Sequence, residues 1–74
     1  SVGVSHVRDL VAALSGRSEA DSVPSIEAIL LSATPVQHRE GVKAAGALRP
    51  ILWWKYASGP RKAAYLRIAE AYKL

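Results

Sequence analysis

The chain contains no cysteine and no long apolar run, and each absence excludes a class of protein. Without cysteine it has neither the disulfide framework of small secreted domains nor a thiolate metal site, which predicts an intracellular protein. Its apolar runs, such as 28–31 and 51–54, are far shorter than the roughly 20 residues that a membrane-spanning helix needs. We therefore expect no membrane-spanning segment.

Catalytic and metal-binding patterns are also lacking. His6 and His38 stand far apart without a metal-ligand spacing such as HExxH, so we interpret both as ordinary solvated residues. No nucleophile elbow and no glycine-rich phosphate loop accompanies the serines and carboxylates. The sequence predicts a protein that is not an enzyme and that needs no cofactor or metal.

The most informative feature that is present is a charge split between the two halves. Residues 1–34 carry two basic and four acidic residues, a net charge of −2. Residues 35–74 carry eight basic and two acidic residues, a net charge of +6. So uneven a distribution in a short chain points to a negatively charged partner, either nucleic acid or an acidic protein surface.

Apolar residues recur at helical spacing, and no segment shows the strict alternation of a half-buried strand. With 74 residues and no internal repeat, the sequence predicts one compact all-α domain over 1–74, built from four or five short helices. Because the chain opens with Ser1 and shows no signal-peptide pattern, we expect it to be the C-terminal module of a longer protein.

The first half is expected to hold two helices. The first runs from about 5 to 15, capped by Ser5 and ended by Gly16. Its apolar stripe consists of Val4, Val7, Leu10, Val11 and Leu14. A polar surface connection over 17–23 follows, and the second helix covers roughly 24–32. A small hairpin over 16–24 is left open.

The second half contains the clearest helix start. Thr34 and Gln37 form a capping box, with proline at the first helical position. Pro50 should interrupt the pattern, since proline cannot donate the helical hydrogen bond. The predicted helices are 35–48, 50–57 and one from Pro60 or Arg61 to the end, the last with a stripe of Ala64, Tyr65, Ile68, Ala69 and Tyr72. Gly46, between alanines, is expected to admit another helix at close range.

Two side-chain sets are candidates for partner binding. Consecutive residues of a helix point about 100° apart, so Trp53 and Trp54 cannot both enter one small core, and at least one should be exposed. The alternative is that both rings wrap around the core edge. The basic residues of the second half form the other set, unless they only keep a small domain soluble. The candidate partner-binding residues are Arg39, Lys43, Arg49, Trp53, Trp54, Lys55, Arg61, Lys62, Arg67 and Lys73.

The last eleven residues, 64–74, resemble the extreme C-terminus of rhabdovirus phosphoproteins. In vesiculovirus members a tyrosine is followed seven residues later by a second tyrosine and two further on by a terminal leucine, and Tyr65, Tyr72 and Leu74 match this pattern. The resemblance implies the phosphoprotein's C-terminal, mostly helical domain in a divergent member, for example from a plant-infecting genus. The rest of the chain departs from the family, and its short β-hairpin is not evident.

The resemblance to this family implies a function and a cellular location. Its C-terminal domain binds the viral nucleoprotein in complex with RNA through a positive surface, while the rest of the parent chain engages the polymerase, which is thereby tethered to its template in the host cytoplasm. Lyssavirus members also have an exposed tryptophan beside the basic patch. Direct binding to nucleic-acid phosphates and a structural dimerisation unit are the rival interpretations, and a membrane-active peptide is a weaker one.

Overall fold

The computed structural model describes residues 1–15 and 18–74, which form five helices. They are α1 (Val2–Leu14), α2 (Glu19–Ser32), α3 (Pro35–Ala47), α4 (Arg49–Tyr56) and α5 (Lys62–Tyr72). The described residues contain no strand, so the predicted all-α fold of four or five helices is confirmed. Of the segment where a hairpin was left open, Gly16 and Arg17 lie outside the described residues, and 18–24 contains no strand.

Helix α1 begins three residues earlier than its sequence pattern predicts. Ser1 is the N-cap in place of Ser5, because its Oγ accepts a hydrogen bond from the Val4 N–H at 3.2 Å. At the other end the Ser15 N–H donates to the Val11 carbonyl at 2.9 Å. The expected terminator, Gly16, lies outside the described residues.

Helix α2 begins at Glu19, so most of the connection predicted over 17–23 is wrong. Ser18 caps the helix by accepting from the Asp21 N–H at 3.3 Å, and acidic residues in the first turn favour the positive end of the helix dipole. Pro24 lies inside the helix and does not start it. The helix continues past Pro24 although proline cannot donate the helical hydrogen bond, and Ile26, two residues further on, is fully buried in the core.

The start of α3 and its junction with α4 agree with the sequence, whereas α5 begins at Lys62, after the predicted Pro60 or Arg61, and ends at Tyr72. The capping box of α3 is present, with the Gln37 N–H donating to Thr34 Oγ1 at 3.1 Å and the Thr34 N–H donating to Gln37 Oε1 at 2.9 Å. Leu48 leaves helical geometry, and α4 restarts with Pro50 in its first turn. The predicted interruption before Pro50 is therefore confirmed.

Helix α1 lies at the centre and packs against α2, α3 and α5. The buried apolar core consists of Val7, Leu10, Ala13, Leu14, Ile26, Ala45, Leu52, Tyr56, Ala64, Tyr65, Ile68 and Tyr72. Within the stripe predicted for α1, Val4 is the exception, because it is exposed. It faces solvent beside α3 at one edge of the stripe.

Glycines on facing helices let α1 and α3 approach closely. A Cβ at Gly3 would collide with the Glu40 backbone carbonyl, and a Cβ at Gly41 would lie 2.7 Å from His6 Cδ2. Gly46, expected to serve this purpose, has nothing within 4 Å of an added Cβ, so that prediction is wrong. The residues flanking a glycine do not reveal which face of the helix meets a neighbour.

Helices α2 and α5 are joined by two polar contacts at opposite ends of their interface. Glu19 Oε2 accepts a hydrogen bond from the Ala63 N–H at 3.2 Å, in the first turn of α5, which has no side-chain cap of its own. One to two turns further along, Arg67 Nε lies 3.2 Å from Glu27 Oε1. Two acids of the first half of the chain therefore contact the helix that closes the second half.

We expect Gly41→Ala to lower the free energy of unfolding by about 1–3 kcal/mol, because the added methyl group must displace the buried His6 ring. Gly46→Ala is the matched control on the same helix. It should raise the free energy of unfolding by ~0.5–1 kcal/mol, because alanine costs less backbone entropy than glycine and the space is open. Urea unfolding followed by circular dichroism measures both, and equal effects of the two variants would contradict the close approach at Gly41.

Candidate docking surface

Helix α4 is anchored to the core by one face only. Leu52 and Tyr56, one turn apart, are buried there. The Tyr56 hydroxyl also shares a hydrogen bond of 3.1 Å with Ser15 Oγ at the end of α1. Because this short helix is anchored by one face, its other side chains are exposed to solvent.

The outward side of α4 is apolar and aromatic. Trp54 is 81% exposed, Trp53 65% and Ile51 60%. The prediction that at least one tryptophan is exposed is confirmed, and the alternative in which both rings wrap around the core is wrong. Three large apolar side chains exposed on one short helix are typical of a binding surface, since isolated exposed residues are the rule elsewhere on small proteins.

Two cations flank these apolar side chains. Arg49 lies one turn before Trp53, and Lys55 lies one turn after Ile51, so each cation extends the exposed surface of α4. Across the described residues neither cation has a carboxylate within 4.0 Å. Lys55 Nζ instead lies 5.6 Å from the ring centroid of Tyr56. We call the set Arg49, Ile51, Trp53, Trp54 and Lys55 the α4 face.

The end of the chain lies beside this face. Lys73 adopts a left-handed conformation (φ 56°, ψ 48°) that ends α5, and the Leu74 N–H then donates to the Ala69 carbonyl at 2.9 Å. Leu74 thereby lines a cleft of about 350 Å³ together with Arg49, Pro50 and Trp53. The structure brings Leu74 together with residues that lie 21 to 25 positions earlier in the chain.

Three other basic residues that the sequence predicts for partner binding form ion pairs with acidic residues. Arg39 Nε and Lys43 Nζ lie 3.8 and 3.7 Å from the same Glu40 Oε1. Arg67 pairs with Glu27 across the α2–α5 interface. Exposed ion pairs of this kind contribute little stability, but each acid lowers the positive potential that a partner would meet. The three cations therefore present less net charge than their number suggests.

The remaining three candidates lie at the two ends of α5. Arg61 is the N-cap residue and is half-buried, and Lys62 follows it on the surface. Lys73 is exposed at the opposite end, next to Leu74 and so near the α4 face. Helix α5 has 11 residues, which separates its two ends by about 16 Å at the helical rise.

Tyr65, Tyr72 and Leu74, which match the rhabdovirus pattern, all pack against the core of this domain. Tyr65 and Tyr72 are buried in the core, two helical turns apart on one face of α5. Leu74 is half-buried against the core and faces Arg49 and Trp53. Packing within this domain therefore accounts for the spacing of the two tyrosines.

His6 is not a solvated residue, contrary to the sequence interpretation. It is only 3% exposed, and its Nε2 shares a hydrogen bond with the Tyr72 hydroxyl, 66 residues away in the chain. Burial lowers the pKa of His6, an effect that Asp9 opposes and His38 reinforces. Burial likewise raises the pKa of Tyr72. His38 is exposed as expected, and its ring centroid lies 5.2 Å from that of Tyr72.

Within residues 1–15 and 18–74, no three His, Cys, Asp or Glu side chains are placed to hold a metal ion together. Within the same residues, no helix has both the length and the apolar character to cross a bilayer. The histidine pair around Tyr72 is thus a packing arrangement with one buried hydrogen bond. The α4 face remains the strongest candidate for a functional surface.

No protein-family model, curated protein or solved structure matches this chain.

We expect the free energy of unfolding to fall as the pH is lowered from about 7.5 to about 5.5, because unfolded His6 takes up a proton near its ordinary pKa while the buried ring resists it. The stabilisation that comes from neutral, buried His6 is fully present above the pKa of His6 in the unfolded chain. It is lost as the pH falls below that pKa. His6→Gln should remove this dependence, whereas His38→Gln should retain it. Urea unfolding at each pH measures the effect, and an unchanged slope in His6→Gln would contradict the assignment.

Proposed function

We propose that this domain is a non-catalytic docking module that binds an acidic protein surface through the α4 face. The observation that carries the proposal is the exposure of Trp53, Trp54 and Ile51 beside two cations that have no acidic partner in the described part of the chain. Tryptophan and arginine are enriched among the residues that dominate the energetics of protein interfaces.

Charge and aromatic contact have different roles in this proposal. The net charge of +4 attracts an acidic partner at long range and raises the association rate. Trp54, the most exposed ring, then inserts into an apolar pocket of the partner and slows dissociation. The cleft between Trp53 and Leu74 offers the partner a complementary recess next to Arg49.

The identity of the partner is a finer proposal that rests on the resemblance of 64–74 to rhabdovirus phosphoproteins. In that form, the acidic surface belongs to a viral nucleoprotein bound to RNA, and the domain tethers the viral polymerase to its template in the host cytoplasm. The α4 face supports only the general part, namely an acidic partner with an apolar pocket. The two levels of the proposal are tested separately.

Peptides selected from a random display library against the immobilised domain should be acidic and contain an apolar anchor. We expect Trp54→Ala to weaken their binding by about tenfold or more, since a truncated hot spot costs ~2 kcal/mol or more. Leu31→Ala is the matched control, because Leu31 is 89% exposed on α2. Fluorescence anisotropy with a labelled peptide measures both, and equal losses in the two variants would refute a role for the α4 face.

Charge reversal tests the electrostatic part. Arg49→Glu should slow association and reduce its salt dependence, while Lys62→Glu, at the far end of α5, should have a smaller effect. Binding of naked RNA as tight as that of any acidic peptide would favour the phosphate-binding rival. A concentration-dependent mass that Trp54→Ala abolishes would favour dimerisation. Binding to a rhabdovirus nucleoprotein–RNA complex, but not to naked RNA, would support the finer proposal.

A further inference from the structure

A second exposed apolar feature lies between α1 and α3. It is a groove of about 460 Å³, lined by Val4, Val7, Arg8, Val11, Ala44, Ala47 and Leu48. Val4 and Leu48 are exposed within it, so the packing of α1 on α3 leaves part of their apolar surface in water. Its residues are distinct from those of the α4 face.

The shape of the groove favours a helix as its occupant. On α1 the lining residues Val4, Val7 and Val11 follow helical spacing over two turns, and on α3 the matching wall is Ala44, Ala47 and Leu48. Small alanines on one wall and branched valines on the other leave a channel along the helix axes, into which the side-chain ridge of a third helix can pack. A small-molecule site would need several converging polar groups, and Arg8 supplies the single charged one.

The charges around the groove favour an acidic occupant. Arg8 lines the α1 wall, and Lys43 lies one turn before Ala47 on the α3 wall. Glu40 is shared between Arg39 and Lys43, which leaves these three side chains with a net positive charge. Asp9 acts on the buried His6, on a different side of α1 from the groove. An occupant with carboxylates flanking an apolar stripe matches both walls.

We propose that the α1–α3 groove binds an amphipathic helix of a partner protein, with apolar residues at i, i+3 or i+4 and i+7 in the groove and carboxylates opposite Arg8 and Lys43. This inference does not rest on the proposed function, because it concerns other residues. The groove ends at Leu48, and the α4 face begins at the next residue, Arg49. A partner that carries both features can therefore span the two surfaces.

The probe is a synthetic helical peptide of about 16 residues with a leucine stripe flanked by glutamates, long enough to form a helix on binding. A scrambled peptide and one with lysine in place of glutamate are the comparisons. We expect amide chemical shifts to change along α1 and α3 and the glutamate peptide to bind tightest. Shifts that map to α4 instead, or equal affinity for the scrambled peptide, would overturn the proposal.

Two glutamate substitutions on α3 separate the groove from overall charge. Ala47→Glu places a carboxylate in the groove and should weaken binding of the glutamate peptide by about tenfold or more, because like charges at an interface repel. Gly46→Glu makes the same charge change in open space and should change the affinity less than about twofold. Equal losses would show that only net charge matters and would overturn the proposal.

A charge swap and a self-association assay complete the test. Arg8→Glu should shift the preference from the glutamate peptide to the lysine peptide. Sedimentation that shows a dimer lost in Ala47→Glu would mean that a second copy occupies the groove, against the proposal. In Trp54→Ala the chemical-shift changes along α1 and α3 should persist whether or not the α4 face also binds acidic peptides, so failure of the α4 proposal and failure of this one give different results.

Discussion

The contact of α1 with α3 and α5 around His6 is the constraint on which the rest of the structure depends. Gly41 has no side chain, and this leaves room for the His6 ring, whose Nε2 then reaches the Tyr72 hydroxyl. This hydrogen bond satisfies two polar groups that burial would otherwise leave without a partner, and such a loss costs more than the bond itself contributes. The contact therefore fixes the positions of three helices at once.

Both exposed surfaces follow from that arrangement. With α1 pressed against α3, Val4 and Val11 lie at the edge of the interface and not in the core, which opens the groove. With Tyr72 fixed at the end of α5, the left-handed turn at Lys73 directs Leu74 towards Arg49 and Trp53. A core of this size has room for few side chains, so the apolar residues in excess of it form surfaces that a partner can cover.

The charge of the second half is distributed by tertiary contacts and not by sequence alone. Two acids from the first half of the chain contact α5, because Glu19 accepts a hydrogen bond from the Ala63 N–H and Glu27 pairs with Arg67. Arg49 and Lys55, in contrast, lie on a helix without acidic residues and beside exposed tryptophans. The positive charge near α4 is smaller than the net positive charge of residues 35–74. It lies, however, next to the side chains that can anchor a partner.

The sequence by itself determined the helices and several of their ends, because caps and prolines act on neighbours within one turn. The capping box at Thr34 and the restart after Leu48 are of this kind. It also determined that Trp53 and Trp54 could not share one core, which is a matter of helical geometry. The chemistry of the α4 face was therefore largely predictable.

Tertiary structure alone decided which residues are buried, which glycine lies at a helix crossing and which cations meet an acid. His6 and Tyr72 are 66 residues apart, and Arg67 and Glu27 are 40 apart, so no local pattern relates them. The same holds for the contact of α2 with α5, since Glu19 and Ala63 are 44 residues apart. Burial is a property of the whole packed chain, whereas helix caps and periodicity are properties of a few consecutive residues.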